Sequence, residues 1–151
     1  GEGLPTIPEE PNTPFTIELG QQQINDYLAE REITQTGVTI RDLQVTIDED
    51  ALIATFRASQ AESGLSGGVT VRGVPRAVDG QLYFRVDDVT LDDSIGGLAR
   101  MLARAAIDQA LRQYSTEDGI PLPLDTLLDA NVEVQEIELD PGLMTVTGRT
   151  R

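Results

Sequence analysis

Three pairs of segments in which apolar and polar residues alternate, each pair joined by a short turn, constrain this sequence most strongly. Alternation with a period of two puts every second side chain on one face of a strand, so each pair predicts a hairpin with one buried face. The turns lie at Glu49-Asp50, Asp79-Gly80 and Pro141-Gly142. Asp-Gly is a preferred pair for the type I′ turn, whose twist matches that of the strands it joins. The sequence therefore predicts an antiparallel sheet made of hairpins.

Each turn also fixes which residues face each other across the hairpin. The first turn sets Ile47 opposite Leu52, Val45 opposite Ala54 and Leu43 opposite Phe56 on one face, with Asp42 opposite Arg57 on the other. The second sets Ala77 opposite Leu82, Pro75 opposite Phe84 and Gly73 opposite Val86 on an apolar face, with Arg76 opposite Tyr83 and Arg72 opposite Asp87 on a polar one. The third pairs Leu139 with Met144 and Ile137 with Val146.

Two residues of the second hairpin do not fit a regular ladder. Pro75 has no N–H to donate, so it predicts an edge, a bulge or an interruption of the strand pairing. Asp88 falls on the same face as Phe84 and Val86. A carboxylate there has a functional role, lies at the rim of the apolar face, or is turned outward by a bulge, because an unpaired buried charge is costly.

Two helices are predicted around these hairpins. A strand over residues 15–19 and a helix over residues 21–30 come first, with Ile24, Tyr27 and Leu28 on one helical face. A longer helix covers residues 94–114, with Asp92, Asp93 and Ser94 supplying its cap and N-terminal negative charge. Its apolar arc is wider than the stripe of about 100° that one sheet face covers. We expect a curved sheet, a partner helix or an apolar ligand to cover the remainder.

The residues that the chain lacks exclude most enzyme chemistry. It has 151 residues, enough for one domain with its own core, but no His and no Cys. Ser-His-Asp and Cys-His nucleophiles, disulfides and zinc sites of thiolate or imidazole are therefore excluded within this chain. Carboxylate pairs remain, as candidates for a calcium ion or a glycosidase-type acid and base. The candidates are Asp87-Asp88, Asp92-Asp93, residues 48–50 and the three glutamates Glu133, Glu136 and Glu138. We interpret them mainly as solvated turns and outer sheet faces.

Charge and prolines bear on partners and organisation. The formal net charge of -15 disfavours nucleic acid and disfavours attraction to an anionic membrane surface. Residues 1–14 contain four prolines and predict an extended linker, which favours a chain tethered upstream. Residues 15–151 then form a single domain.

The order of the elements resembles a known family. The sequence FTIELGQQQINDYLAE is followed by hairpins containing VTVRGVPRAVDGQLYFRVDDVTL, then by the longer helix, an IPLP segment and the final NVEVQEIELDPGLMTVTGR hairpin. Over residues 15–150 this pattern resembles the bacterial LmeA/YpmS-like envelope proteins. The resemblance implies an α+β fold in which a curved antiparallel sheet of hairpins wraps around one long helix, with a short N-terminal helix, as in tubular lipid-binding modules. It also implies a secreted or lipid-anchored (lipoprotein) domain at the outer face of the cytoplasmic membrane that binds phospholipid or another acyl lipid.

We therefore expect a non-enzymatic lipid-binding protein of the cell envelope, associated with the membrane through an N-terminal tether and needing no cofactor and no metal. The resemblance carries no catalytic residues, so the expected lining of an apolar groove comes from the register alone. The lining residues are Ile95, Leu98, Met101, Leu102 and Ala105 of the helix and Phe56, Leu82, Phe84 and Val86 of the sheet. The alternative is an interaction module that uses the same helix surface for a protein partner or for self-association. A carboxylate-based hydrolase is a third hypothesis, which needs two acidic groups converging in a cleft.

Overall fold

The computed structural model describes residues 6–151 apart from residues 30, 31, 36, 63, 65, 93–95, 123 and 129. The described residues form nine strands and three helices. In chain order they are β1 Pro14–Gly20, α1 Gln21–Leu28, β2 Ile33–Gln35, β3 Val38–Ile47, β4 Leu52–Gln60, β5 Ser66–Val78, β6 Gln81–Leu91, α2 Gly97–Tyr114, β7 Ile120–Pro121, α3 Leu124–Leu128, β8 Val132–Asp140 and β9 Leu143–Thr150.

The strands form two antiparallel sheets. Six consecutive strands make the larger sheet in the order β2-β3-β4-β5-β6-β7, and the smaller sheet has the order β1-β9-β8. Two backbone hydrogen bonds link the sheets: Val134 N–H donates to the Gly80 carbonyl at 2.8 Å and Gly142 N–H donates to the Ile47 carbonyl at 2.7 Å. Each bond therefore joins a turn of one sheet to a strand of the other.

The apolar side chains form two clusters. The first lies between the smaller sheet, the α1 and α3 segments and the adjoining ends of the larger sheet, and it contains the fully buried Leu19, Ile47 and Val146. The second lies at the other end of the larger sheet, where Val69, Val71, Val89 and Leu91 are buried side by side on β5 and β6. Phe84 packs against both clusters and connects them.

Most of the predicted register is confirmed. Ile47 faces Leu52 and Val45 faces Ala54 in the first hairpin. The predicted pairs Leu43–Phe56 and Asp42–Arg57 are wrong, because a bulge between Arg41 and Gln44 puts two residues opposite one, with Asp42 at φ 56°. The bulge has a physical reason: it keeps the apolar side of β3 directed inward on both sides of the irregularity.

The second hairpin has its predicted turn and one unpredicted bulge. Asp79 and Gly80 have φ of 50° and 81°, the left-handed values that a type I′ turn requires. Arg72 pairs with Asp88 and not with Asp87, since Asp87 is the extra residue of a bulge opposite Arg72 and Gly73. The bulge turns Asp88 outward, where it is exposed. The third hairpin has the predicted pairs Leu139–Met144 and Ile137–Val146.

Pro75 lies where β5 has lost one neighbour. The pairing of β4 with β5 ends at Leu52 and Gly73, two residues before Pro75, while β6 continues alongside. The missing N–H of Pro75 therefore costs no ladder hydrogen bond to β4, and the predicted local edge is confirmed.

The expected sheet wrapped around one long helix is wrong. The protein is mainly β-structure, α1 and α3 are short, and no described strand closes over the outer side of α2. The reason is the division into two sheets: β1, β8 and β9 pack with α1 and α3, so they are not available to surround α2. The helix begins at Gly97 with Gly96 as its N-cap, and the predicted capping residues Asp93 and Ser94 lie outside the described residues.

The first helix covers a free edge of the larger sheet. It ends two residues earlier than predicted, at Leu28. The amide of Asn25 mimics a neighbouring strand: its Nδ2 donates to the Val45 carbonyl at 3.0 Å and its Oδ1 accepts from the Val45 N–H at 2.7 Å. Gln21 Oε1 accepts from the Ile47 N–H at 2.9 Å. These side chains satisfy the part of β3 that β2 does not reach.

Residues 6–13, the described part of the Pro-rich segment, lie against the end of β9. Ile7 is buried in the first cluster, Asn12 N–H donates to the Thr150 carbonyl at 2.9 Å, and Thr150 Oγ1 donates to the Glu10 carbonyl at 2.6 Å. Across the described chain, every helix is too short or too polar to span a lipid bilayer.

Candidate functional site

Helix α2 meets the larger sheet through a stripe of apolar side chains, small in its first half and larger in its second. Ala99, Ala103, Ile107 and Leu111 recur every four residues and pack against the second cluster. We call these four residues the inner stripe. Each of them is only partly buried, and no α2 side chain that the structure describes is fully buried. The helix therefore covers an apolar sheet surface without being anchored in a tightly packed core.

The opposite face of α2 is also apolar, over its first turns. Leu98, Met101 and Leu102 are exposed to 70%, 69% and 54% of their full surface. We call these three residues the outer ridge. At about 100° per residue, the ridge lies on the side of the helix opposite the inner stripe. A contiguous exposed apolar patch in an otherwise strongly charged chain marks a candidate binding surface.

Two arginines hold α2 to the edge of the sheet. Strand β7 pairs with Tyr83 and Phe84 of β6, so among the described residues the carbonyls further along β6 have no strand partner on that side. Arg104 Nη1 donates to the Val89 carbonyl at 2.6 Å, and Arg100 donates to the carbonyls of Leu91 at 3.3 Å and Asp92 at 3.1 Å. Charged donors on carbonyls at a strand edge also protect that edge from pairing with another chain.

A shallow open pocket of about 270 Å³ lies close to the N-terminal end of α2. Its lining comes from three adjacent strands and the residue that follows them: Thr55, Phe56, Gly68, Val69, Thr70, Thr90, Leu91 and Asp92. Pockets for small molecules start near 300 Å³, so this volume holds part of a ligand and not a whole phospholipid. The threonine side chains alternate with the apolar ones along each strand, so they lie on the sheet face opposite α2, together with the Asp92 carboxylate. Most of the pocket lining therefore belongs to the polar face of the sheet and not to the space beneath the helix.

The structure separates the predicted lining residues into groups. Leu98, Met101, Leu102 and Ala105 are exposed on α2 and face away from the sheet, whereas Ile95 lies outside the described residues. Phe56, Phe84 and Val86 are partly buried and pack against the second cluster, beneath α2. Leu82 is buried in the first cluster. The predicted sheet residues other than Leu82 are therefore brought together, but with the inner stripe and not with the outer ridge.

Sequence reasoning missed the part played by Arg100 and Arg104. The available signal was their spacing of four residues, each directly after an alanine of the inner stripe. That spacing puts both guanidinium groups along one side of the contact with the sheet.

The carboxylates do not gather into a site. No three acidic side chains within the described ranges are close enough together to hold a metal ion. Asp87 forms a half-exposed ion pair with Arg72 at 3.2 Å, and Asp108 lies 3.9 Å from Arg104 on α2. Each of these two carboxylates is engaged by an arginine, whereas a paired-carboxylate hydrolase uses two acidic groups that converge on the substrate.

Two comparisons with known proteins bear on this arrangement. A family model described as LmeA-like phospholipid-binding matches residues 12–149, nearly the whole chain. No curated protein matches the sequence.

Proposed function

We propose that this chain, which belongs to the LmeA-like phospholipid-binding family, holds an acyl chain of a phospholipid between helix α2 and the apolar face of the larger sheet. The lining in this proposal is the inner stripe on one side and Phe56, Phe84 and Val86 on the other. The open pocket lies mainly on the polar face of the sheet and is not part of this lining.

The observation that carries the proposal is the incomplete burial of α2. This helix covers four buried apolar side chains while none of its own described side chains is fully buried, so moving it outward breaks mainly the Arg100 and Arg104 hydrogen bonds to the edge of β6. An acyl chain that enters the widened space replaces contacts between small alanines and the sheet with more extensive apolar contact. Each methylene removed from water contributes about 0.8 kcal/mol, which offsets the cost of displacing the helix.

The proposal includes a non-enzymatic role. Holding an apolar chain requires no proton transfer, and neither His nor Cys is present to perform the commonest kinds. We further propose that the protein is a lipoprotein or secreted protein that works at the outer face of the cytoplasmic membrane. Family membership and the Pro-rich segment ahead of β1 support this location.

The test uses two alanines on opposite sides of the same helix. Ala103 belongs to the inner stripe and Ala105 is exposed on the outer side. We expect Ala103→Leu to fill the space beneath α2 and to weaken binding of a fluorescent fatty acid about tenfold, since roughly 1–2 kcal/mol of acyl burial is lost. Ala105→Leu adds the same side chain outside this space and should leave the affinity unchanged.

Native mass spectrometry of the protein purified from its bacterial host supplies a second measurement. A retained mass corresponding to a phospholipid supports the proposal. Absence of any lipid mass, together with no fatty-acid binding by the unmodified protein, would contradict it. Equal weakening by Ala103→Leu and Ala105→Leu would contradict the location beneath α2. Circular dichroism of each variant checks that the fold is retained.

The exposed outer ridge also supports the alternative function, an interaction module. In that case Leu98, Met101 and Leu102 bind a protein partner or a second copy of the chain. Self-association predicts a molar mass in light scattering that rises with protein concentration and returns to the monomer value in Met101→Ser. A constant monomer mass at all concentrations contradicts self-association.

A further inference from the structure

We infer that the outer ridge of α2, together with Arg112, is a docking surface for a phospholipid bilayer, separate from any tether at the N-terminus. The inference rests on the proposed function, because it explains how the helix that covers the acyl-chain site meets the lipid source. It assigns a role to apolar side chains that the fold leaves uncovered.

The geometry suits a helix lying in the plane of a membrane surface. Leu98, Met101 and Leu102 occupy little more than one turn, and Arg112 follows in the last turn on the same side of the helix. At a rise of about 1.5 Å per residue, Arg112 lies about 15 Å along the axis from the ridge. Its long side chain is exposed and can extend its guanidinium to the level of the phosphates while the ridge enters the acyl boundary.

The outer side of α2 is nearly neutral, although the whole molecule is strongly negative. Arg100 and Arg104 donate to carbonyls at the edge of β6, so the charges that remain on the outer side of the helix are those of Arg112 and Asp108, whereas the chain carries -15. Charges in solution act over a Debye length of about 8 Å at physiological ionic strength, so a bilayer that meets this side senses mainly these two groups. The negative charge of the molecule is therefore locally reduced at the ridge.

The same features disfavour a second copy of the chain as the occupant. In a twofold dimer the ridge would meet itself, which brings two bodies of charge -15 together. The ridge comprises three side chains, while a stable protein interface uses about 20–30 residues a side. A bilayer needs no matched partner surface and accepts both leucine side chains and a guanidinium.

The experiment uses the absence of Trp from the natural sequence. Met101→Trp places a single reporter in the ridge, and Thr16→Trp places one on the exposed side of β1. With vesicles of phosphatidylcholine and about one third phosphatidylglycerol, we expect a blue shift of the emission and quenching by brominated acyl chains for Met101→Trp. The Thr16→Trp emission should not change. A similar response of both reporters, or none at position 101, would overturn the inference.

Binding variants supply the quantitative arm. The double variant Leu98→Ser/Leu102→Ser should reduce vesicle binding in a flotation assay at least tenfold, and Arg112→Gln should reduce it several-fold. The matched control Gln109→Ser/Gln113→Ser alters exposed polar positions of the same helix and should bind as the unmodified protein does. Unchanged binding by the ridge variant, or a dimer in light scattering that disappears with it, overturns the docking role.

A vesicle-free assay separates this inference from the proposed function. The ridge variant Leu98→Ser/Leu102→Ser should still bind a monomeric fluorescent fatty acid, because the inner stripe is intact. If it binds the fatty acid and also keeps full vesicle binding, docking through the ridge is refuted and acyl binding stands. If the unmodified protein docks on vesicles but takes up no fatty acid, the acyl-chain site is refuted while the membrane contact remains.

Discussion

Single polar side chains of the two main helices close the free edges of the larger sheet. Asn25 pairs with both backbone groups of Val45 on β3, and Arg104 donates to the Val89 carbonyl on β6. An uncovered strand edge invites pairing with other chains, so these contacts protect the fold as well as positioning the helices. At α2 the same contacts hold in place the helix that covers the proposed lipid site.

Replacement of Arg104 tests this role. Arg104→Met keeps most of the apolar stem and removes the donors to Val89, so we expect the free energy of unfolding to fall by about 1 kcal/mol, a value reduced for the partial exposure of the guanidinium. Urea denaturation measures the change. Arg112→Met, in the exposed last turn, is the control and should stay within about 0.5 kcal/mol of the unmodified protein. Equal effects of the two substitutions would show that the edge contact is not stabilising.

Gly73 tests the close approach at the bulge of the second hairpin. A Cβ at this position would collide with the Arg85 carbonyl and lie 2.6 Å from Cζ of Phe84. Gly73→Ala should therefore lower the free energy of unfolding by about 2 kcal/mol or more, because both strands are fixed in the ladder. Gly96→Ala, where a Cβ meets no atom within 4 Å, should change it by less than about 0.5 kcal/mol. Thermal unfolding of both variants measures the two changes. A loss of stability in Gly73→Ala alone indicates a steric collision, whereas equal losses indicate an effect of replacing any glycine.

At the scale of elements, the strands and α2 differ in how firmly they are anchored. Strand β9 buries alternate residues, Met144, Val146, Gly148 and Thr150, between its two neighbours. Helix α2 has only partly buried side chains on its inner stripe and exposed ones on its outer ridge. Elements with few buried contacts open at lower free energy than those in a core. Helix α2 is therefore the element best suited to move when a ligand enters.

Hydrogen exchange measures this difference directly. We expect the amides of α2 to exchange at least about 100-fold faster than those of β9, since local opening of α2 does not require the first cluster to unfold. Added fatty acid should slow exchange in α2 and leave β9 unchanged. Exchange of α2 as slow as that of β9, with no response to fatty acid, would contradict a displaceable helix.

The whole molecule carries a large uncompensated negative charge. Against a net charge of -15, the described side chains form ion pairs between Arg72 and Asp87 and between Arg104 and Asp108, both about half exposed. Exposed ion pairs of this kind contribute little to the free energy of unfolding, so screening them with salt lowers stability only slightly. Repulsion among the surplus carboxylates is then the main electrostatic effect on stability that salt alters.

Stability should therefore rise with ionic strength. We expect the Tm to increase by several degrees between about 10 mM and about 300 mM NaCl, as the Debye length shortens from roughly 30 Å to below 10 Å and repulsion is screened. The rise should flatten above that range, which distinguishes screening from a linear effect of salt on apolar burial. A Tm that falls or stays constant on addition of salt would show that self-repulsion is not a significant destabilising contribution.

The sequence by itself determined the hairpins, their turns and most of their pairing. The pairs Ile47–Leu52, Ala77–Leu82 and Ile137–Val146 follow from period-two alternation on both sides of a turn. The alternation and the turn are both properties of residues close together in the sequence. The family was likewise predicted from the order of the elements, and the family model that matches residues 12–149 confirms it.

Tertiary structure decided the bulges, the division into two sheets and the direction in which α2 faces. The bulge at Asp87 is produced by the need to bury Val89 and Leu91, which depends on strands and a helix distant in the chain. Helix α2 is apolar on two opposite sides, so its sequence alone does not select the side that meets the sheet. Two tertiary contacts select that side. The alanines of the inner stripe let the helix approach the sheet closely, and in this orientation Arg100 and Arg104 donate to the free carbonyls of β6.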